Sequence, residues 1–146
     1  MYLDTAILIK LLVDEPDTEF FQEALDGVLL SSSELARTEV WAALLAKERH
    51  KFISAQQRAA AWDVFNGRVQ SEQIILHPLN SAVVKKATHI LGLCHPNVPL
   101  RTLDAIHTAA CDLSQDFPLC TTDRRMRDAA DVLGIPVFPA NDSAHP

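Results

Sequence analysis

Four acidic residues stand at positions from which their side chains could meet in one site: Asp4, Glu39, Asp104 and Asp123. Two carboxylates ~4 Å apart repel by about 4 kcal/mol at an effective dielectric of about 20, so a cluster of four needs protons, arginines or a metal ion. Carboxylate oxygens select hard cations such as magnesium or manganese rather than zinc. The four acids therefore predict a Mg²⁺ or Mn²⁺ site that hydrolyses phosphodiester bonds in nucleic acid.

Asp104 lies in the most distinctive stretch of the chain, RTLDAIHTAA, whose small residues predict a helix that other elements can approach closely. If Thr102 caps this helix, Asp104 stands in its first turn, and stabilisation by the helix dipole is a simpler explanation for it. Asp104 shares a helix face with Thr108. His107 lies beside that face, so we interpret it as a hydrogen-bonded helix histidine rather than as a ligand or base.

Glu39 is predicted to face inward, because Leu35, Ala42 and Ala46 fall on the same stripe of a helix that begins near Ser33. A lone inward carboxylate is costly unless it is paired or bound to a metal. The alternative to a metal is an ion pair with an arginine from another element.

Asp4 and Asp123 each follow a short apolar segment directly and precede a predicted helix. Either could simply cap that helix. In the functional interpretation both bind the metal, and Arg124 and Arg125 contact substrate phosphates. In the simpler interpretation these arginines form a solvated helix face.

Short apolar segments alternate with amphipathic helices along the chain, which predicts an α/β fold with a mainly parallel sheet covered on both faces. Ligands of such sheets bind beyond the carboxyl ends of the strands, where Asp4 and Asp123 are expected. Helix caps are predicted at Ser54 (in a capping box with Gln57), Ser81 and Thr102. The strands are predicted at 2–3, 28–31, 73–79, 119–122 and 135–138.

The bulk properties predict one domain over residues 1–140, followed by a polar tail at 141–146. The three cysteines form no C-x-x-C pair, which argues against a zinc ribbon or a disulfide framework. No apolar run is long enough for a membrane span, and no signal sequence is evident, so we expect a cytoplasmic protein. The net charge of −6 means that metal or clustered arginines must provide any attraction for nucleic acid.

The motifs around the four acids resemble those of the PIN-domain ribonucleases, in particular the VapC-type toxins of bacterial toxin–antitoxin pairs. The resemblance covers nearly the whole chain and rests on four segments: MYLDT at the start, SELARTEV around Glu39, LRTLDAIH around Asp104 and TTDRR around Asp123. It departs from the family at Ala6, where a serine or asparagine is frequent, and this leaves Thr5 and backbone groups to support Asp4.

The resemblance implies a three-layer α/β/α fold and a Mg²⁺- or Mn²⁺-dependent endoribonuclease with Asp4, Glu39, Asp104 and Asp123 as catalytic, metal-binding residues. It also implies a supporting hydroxyl at Thr121, a homodimer, and an antitoxin partner that fills the cleft. Lys47 or Arg49 is expected to extend the RNA contact. Two alternatives remain: a PIN-fold RNA-processing nuclease outside toxin–antitoxin systems, and a non-enzymatic acidic α/β interaction module.

Overall fold

The computed structural model describes residues 1–140, and the predicted polar tail at 141–146 lies outside the described residues. Strands and helices alternate through most of the described chain. In order, the elements are β1 (Tyr2–Leu3), α1 (Thr5–Lys10), α2 (Thr18–Ala24), β2 (Leu30–Ser33), α3 (Leu35–Arg49), α4 (Ala55–Gln70), β3 (Ile74–His77), α5 (Ser81–Cys94), α6 (Thr102–Ser114), β4 (Leu119–Cys120), α7 (Arg124–Leu133) and β5 (Val137–Phe138).

The strands form one parallel sheet in the order β3-β2-β1-β4-β5. The chain builds outward from β1 on one side through β2 and β3, and then returns to the other side of β1 with β4 and β5. The strand order therefore reverses between β1 and β4. A crevice opens at such a reversal, beyond the carboxyl ends of the two strands, and it is the usual ligand site of open α/β sheets.

Successive residues of the central strands pack on opposite faces of the sheet. Leu3 and Cys120 join the core formed with α1 to α4, whereas Tyr2 and Leu119 join the core formed with α5 to α7. This alternation follows from the two-residue period of side chains along a strand. The structure thus has helices on both faces of a parallel sheet, and the predicted three-layer α/β/α fold is confirmed.

Local sequence patterns predicted most elements, but several boundaries and two helix caps differ. The last three strands are shorter than the predicted 73–79, 119–122 and 135–138, because only 74–77, 119–120 and 137–138 pair with a neighbouring strand. Strand β2 begins at Leu30 rather than at Val28, because Val28 and Leu29 are exposed after the turn at Gly27, which has φ +70°. Helix α5 is capped by Asn80, whose side chain accepts from the Val83 amide, and not by Ser81.

Thr102 is the first residue of α6 and not its cap, since Arg101 takes the extended N-cap position without a capping side-chain hydrogen bond. The capping box of Ser54 and Gln57 at the start of α4 is confirmed.

The three cysteine thiols, Cys94, Cys111 and Cys120, are buried and unpaired by disulfides. Burial raises the pKa of both Cys111 and Cys120 to about 12, so these thiols stay protonated and unreactive. Within residues 1–140, no helix combines the length and apolar character needed to cross a membrane.

Candidate active site

Four helices begin at the carboxyl edge of the sheet, and each carries one of the predicted acids at or near its start. Helices α1, α3 and α7 directly follow β1, β2 and β4, so their first turns lie at this edge. Helix α6 precedes β4 and therefore runs toward the opposite edge, which places its first turn at the same end as the others. Helix N-termini carry partial positive charge, and this favours carboxylates nearby.

Asp4 is the most deeply buried of the four acids, with 4% of its surface exposed. Its Oδ1 accepts the Ile7 amide at 2.9 Å, and its Oδ2 accepts the hydroxyl of Thr121. Burial nevertheless raises the pKa of Asp4 above its ordinary value, against these two hydrogen bonds, and the charge of Asp123 raises it further. The Asp4 carboxylate thus lies where additional positive charge would stabilise it.

Asp123 caps α7 through Oδ1, which accepts the Arg125 amide at 2.8 Å and the Met126 amide at 3.2 Å. Its own backbone amide donates to the Thr121 hydroxyl at 3.0 Å. Since the same hydroxyl donates to Asp4, Thr121 connects the two acids at the end of β4. The capping role and a role in a site are therefore compatible, because Oδ2 of Asp123 takes no part in the cap.

Asp104 has a mostly buried side chain, and its Oδ2 atom is buried without a hydrogen-bond partner. The nearest opposite charge is the guanidinium of Arg101, whose Nε lies 3.3 Å from that oxygen. Nη2 of Arg101 lies 3.6 Å from Oδ2 of Asp123. One exposed guanidinium thus lies between carboxylates from α6 and α7.

The prediction that Leu35, Ala42 and Ala46 mark the inward face of α3 is wrong. The buried residues of this helix are Ala36, Val40 and Leu44, while Ala42 is exposed. Glu39 precedes Val40 and so lies about 100° around the helix from it, at the margin of the buried face. Its carboxylate is half-buried and still turns toward the sheet edge, because a hydrogen-bonding partner lies there.

That partner is His107, and not the arginine considered from sequence. Nε2 of His107 lies 2.5 Å from Oε1 of Glu39, and the hydroxyl of Thr5 donates to the same oxygen at 2.8 Å. Burial opposes ionisation of Glu39, but the hydrogen bond and charge of His107 and the Thr5 hydroxyl leave its pKa below the ordinary value. Thr5 therefore contacts Glu39 through its hydroxyl, whereas the sequence had placed it beside Asp4.

His107 is buried, with 3% exposure, and both ring nitrogens are engaged. An ionised Glu39 can only accept, so Nε2 carries a proton and donates to it. Nδ1 lies 3.0 Å from the hydroxyl of Tyr2, a group whose pKa burial raises well above its ordinary value. The prediction that His107 is a satisfied histidine was incomplete, since it missed the bond to Glu39. Its position one helical turn after Asp104 was the available signal.

Side-chain contacts link three of the acids: Thr121 contacts Asp4 and Asp123, and Arg101 lies between Asp123 and Asp104. Glu39 is linked to them through Thr5, which it hydrogen-bonds and which follows Asp4 directly in the chain.

Two of the predicted basic contacts, Arg124 and Arg125, lie in the first turn of α7 directly after Asp123, at the rim of the site. Lys47 is paired elsewhere. Arg124 has 95% of its side chain exposed and lies 4.0 Å from Asp128, and Arg125 is partly exposed beside it. Lys47 pairs with Glu15 at 2.5 Å, which occupies the ammonium group that the sequence had assigned to RNA. The exposed Arg124 and the neighbouring Arg125 are therefore the rim cations to consider for substrate.

Within the described part of the chain, no three His, Cys, Asp or Glu side chains are already grouped as metal ligands. Glu39 instead hydrogen-bonds His107, and Arg101 lies between Asp104 and Asp123. The chemistry of the donors nonetheless fits a hard divalent cation. All are carboxylate oxygens, Oδ2 of Asp104 lacks a hydrogen bond, and Asp4 is buried with a raised pKa.

Comparisons with known proteins identify the family and the fold. The family model of the PIN domain matches residues 1–132. The chain is 36% identical over 141 residues to Ribonuclease VapC46 of Mycobacterium tuberculosis (strain ATCC 25618 / H37Rv), covering 94% of this chain and 95% of that protein. Its fold is similar to the crystal structure of FitAcB from Neisseria gonorrhoeae, with a TM-score of 0.66 and 15% identity over 94% of this chain and 95% of that one.

Proposed function

Because the chain belongs to the PIN domain family, we propose that it is a metal-dependent endoribonuclease, acting as the toxin of a type II toxin–antitoxin pair. The observation that carries the proposal is the connected set of four acids at the reversal of strand order. A relative that is 36% identical and named a ribonuclease supports RNA as the substrate.

In this proposal Asp4, Glu39, Asp104 and Asp123 hold Mg²⁺ or Mn²⁺ and are the catalytic residues. A divalent cation held there would neutralise charge on the phosphate and ease deprotonation of the attacking water. The chain itself then needs no nucleophilic side chain. Its acids bind and orient the cation, and the rim arginines Arg124 and Arg125 bind neighbouring phosphates.

Two hydroxyl groups and one imidazole position the acids in the proposed site. Thr121 holds Asp4 relative to Asp123, since its hydroxyl contacts both residues. Thr5 and His107 hold the carboxylate of Glu39 from two sides. Such outer contacts fix the direction of each ligand oxygen before substrate arrives.

The proposed partners are an antitoxin protein and a second copy of this chain. The support is family membership and the similarity to a relative named VapC46. An antitoxin that fills the cleft would have to meet the negative charge of the four acids, so we expect it to insert a basic side chain. We also propose a cytoplasmic location, where RNA substrate is available. Co-expression with the short reading frame beside this one, followed by co-purification and mass measurement, tests both partners.

The function is tested by comparing Asp104→Asn with Asp112→Asn, a matched variant on the same helix. Asp112 pairs with Lys86 at 2.7 Å and lies more than two turns from Asp104. We expect Asp104→Asn to lower Mn²⁺-dependent cleavage of total cellular RNA more than about 100-fold, since loss of an outer contact alone costs up to about that much. Asp112→Asn should cleave like the unmodified protein.

Full cleavage by a folded Asp104→Asn protein, or cleavage by the unmodified protein that persists in EDTA, would overturn the proposal. Sequencing the RNA ends after induced expression identifies the bond that is cut.

A further inference from the structure

Arg101 lies between Asp104 of α6 and Asp123, the N-cap residue of α7. It is the N-cap residue of α6, with an extended backbone at φ −86° and ψ 160°. Its guanidinium contacts Oδ2 of Asp104 at 3.3 Å and Oδ2 of Asp123 at 3.6 Å. The side chain is 61% exposed.

Within residues 1–140, the two oxygens that face Arg101 make no hydrogen bond to another residue. Oδ1 of Asp123 serves the cap of α7, which leaves Oδ2 for the guanidinium. Oδ2 of Asp104 is buried and makes no hydrogen bond. Two carboxylate oxygens from different elements thus converge on a single positive charge, which is the arrangement that a divalent cation also requires.

The contacts of Arg101 are long for charge-assisted hydrogen bonds, which are usually ~2.7–2.9 Å between nitrogen and oxygen. Neither distance reaches that range, and the exposed side chain can move into solvent without breaking a packed interface. Ion pairs with non-ideal geometry and one exposed partner contribute little to stability. The guanidinium therefore compensates the charge of the two acids while remaining easy to displace.

We propose that Arg101 is a built-in competitor of the divalent cation, which leaves Asp104 and Asp123 when the metal enters and then binds a phosphate of the RNA. The inference rests on the proposed function, since it takes Asp104 and Asp123 to be metal ligands. The charges stay balanced in this exchange. The metal cation takes the place of the guanidinium beside the two acids, and the guanidinium then pairs with a phosphate of the RNA. The affinity of the two acids for the metal therefore stays low until RNA provides a phosphate that binds Arg101.

The test uses Arg101→Gln, with Arg68→Gln as the matched control. Both changes take the net charge from −6 to −7, which controls for the overall field of the protein. Arg68 lies near the end of α4, beside Leu30 and Ile74 at the starts of β2 and β3, and so at the opposite edge of the sheet. Circular dichroism establishes that both variants are folded.

Two measurements are expected to move in opposite directions in Arg101→Gln. Calorimetric titration with Mn²⁺ in the absence of RNA should give a dissociation constant about three- to tenfold lower than in the unmodified protein, since the guanidinium no longer competes for the two acids. KM for RNA should rise about three- to tenfold, because one phosphate contact is lost. Arg68→Gln should change neither constant.

A role in which Arg101 merely stabilises the fold or supports the bound metal would weaken Mn²⁺ binding in the variant, and that result overturns the inference. An unchanged Mn²⁺ affinity, or tighter binding with an unchanged KM, also overturns it. These results leave the proposed function standing if Asp104→Asn abolishes Mn²⁺ binding. If the folded, unmodified protein binds no Mn²⁺ at all, both the proposed metal site and this inference are wrong.

Discussion

The imidazole of His107 and the carboxylate of Glu39 meet at 2.5 Å although 68 positions separate them in the chain. Glu39 belongs to α3, in the helical layer on one face of the sheet, and His107 belongs to α6, in the layer on the other face. The sheet separates these layers, and its carboxyl edge is where the two helices can touch. The contact therefore marks the place where both layers contribute to one site.

Substitution of His107 is expected to act on catalysis through Glu39. His107→Ala removes the donor to Glu39 and should lower kcat about 10- to 100-fold, as loss of an outer contact does, while KM for RNA changes less than about threefold. His107→Gln retains an N–H of similar reach and should recover part of kcat. Steady-state kinetics on a defined RNA measures both constants. A rise in KM with unchanged kcat would contradict a positioning role for His107.

Replacement of Asp4 by asparagine tests whether its buried charge destabilises the metal-free protein. Because burial raises the pKa of Asp4, the folded state binds its proton more tightly than the unfolded state does. Stability is then lost as pH rises from the ordinary value of 3.8 through the raised pKa. Relative to the unmodified protein, Asp4→Asn should therefore gain unfolding free energy between about pH 4 and pH 7.

Urea unfolding at several pH values in EDTA measures this difference. A constant offset between the two proteins at every pH would contradict the prediction. Addition of Mn²⁺ should stabilise the unmodified protein and leave Asp4→Asn almost unaffected, because the variant lacks a charged ligand.

Glu15, which has no proposed catalytic role, should give a pH dependence of stability opposite in sign to that of Asp4. Its carboxylate contacts Lys47 at 2.5 Å and Lys10 at 3.4 Å. Burial opposes ionisation, but the two ammonium groups lower the pKa of Glu15 below its ordinary value of 4.5. This stabilisation is present above the ordinary value and is lost as pH falls through the lowered pKa. Glu15→Gln should cost about 1 kcal/mol at pH 7, and this cost should shrink as pH falls through the lowered pKa, as measured by denaturant unfolding.

The rim arginines are expected to contribute to RNA binding mainly through charge. If Arg124 and Arg125 each contact one phosphate, their joint replacement by alanine should reduce the slope of log affinity against log salt by about 1.4, at about 0.7 per contact with single-stranded RNA. Fluorescence anisotropy with a labelled RNA from 50 to 300 mM salt measures this slope. An unchanged slope would mean that the RNA does not contact these arginines. Arg68→Gln serves as a control for the loss of one arginine at the opposite edge of the sheet.

Much of the fold followed from local patterns. The alternation of short apolar segments with helices predicted a parallel sheet covered on both faces, and the capping box at Ser54 and Gln57 fixed the start of α4, because both depend on neighbouring residues alone. The boundaries of the elements were predicted less accurately, as the start of β2 shows. Val28 is apolar enough for a strand, but the pairing of Leu30 with Ile74 and of Ser31 with Tyr2 decides where the strand begins.

The sequence by itself identified the four acids, because Asp4 and Asp123 follow strands and Asp104 and Glu39 stand in distinctive helical motifs. It did not reveal that Arg101 lies between Asp104 and Asp123, or that His107 is the partner of Glu39. Those relationships join elements far apart in the chain, and no periodicity within one helix encodes the distance between two. The chain's residue types determined which chemistry is available, and the packing of α3, α6 and α7 around one sheet edge decided which side chains meet.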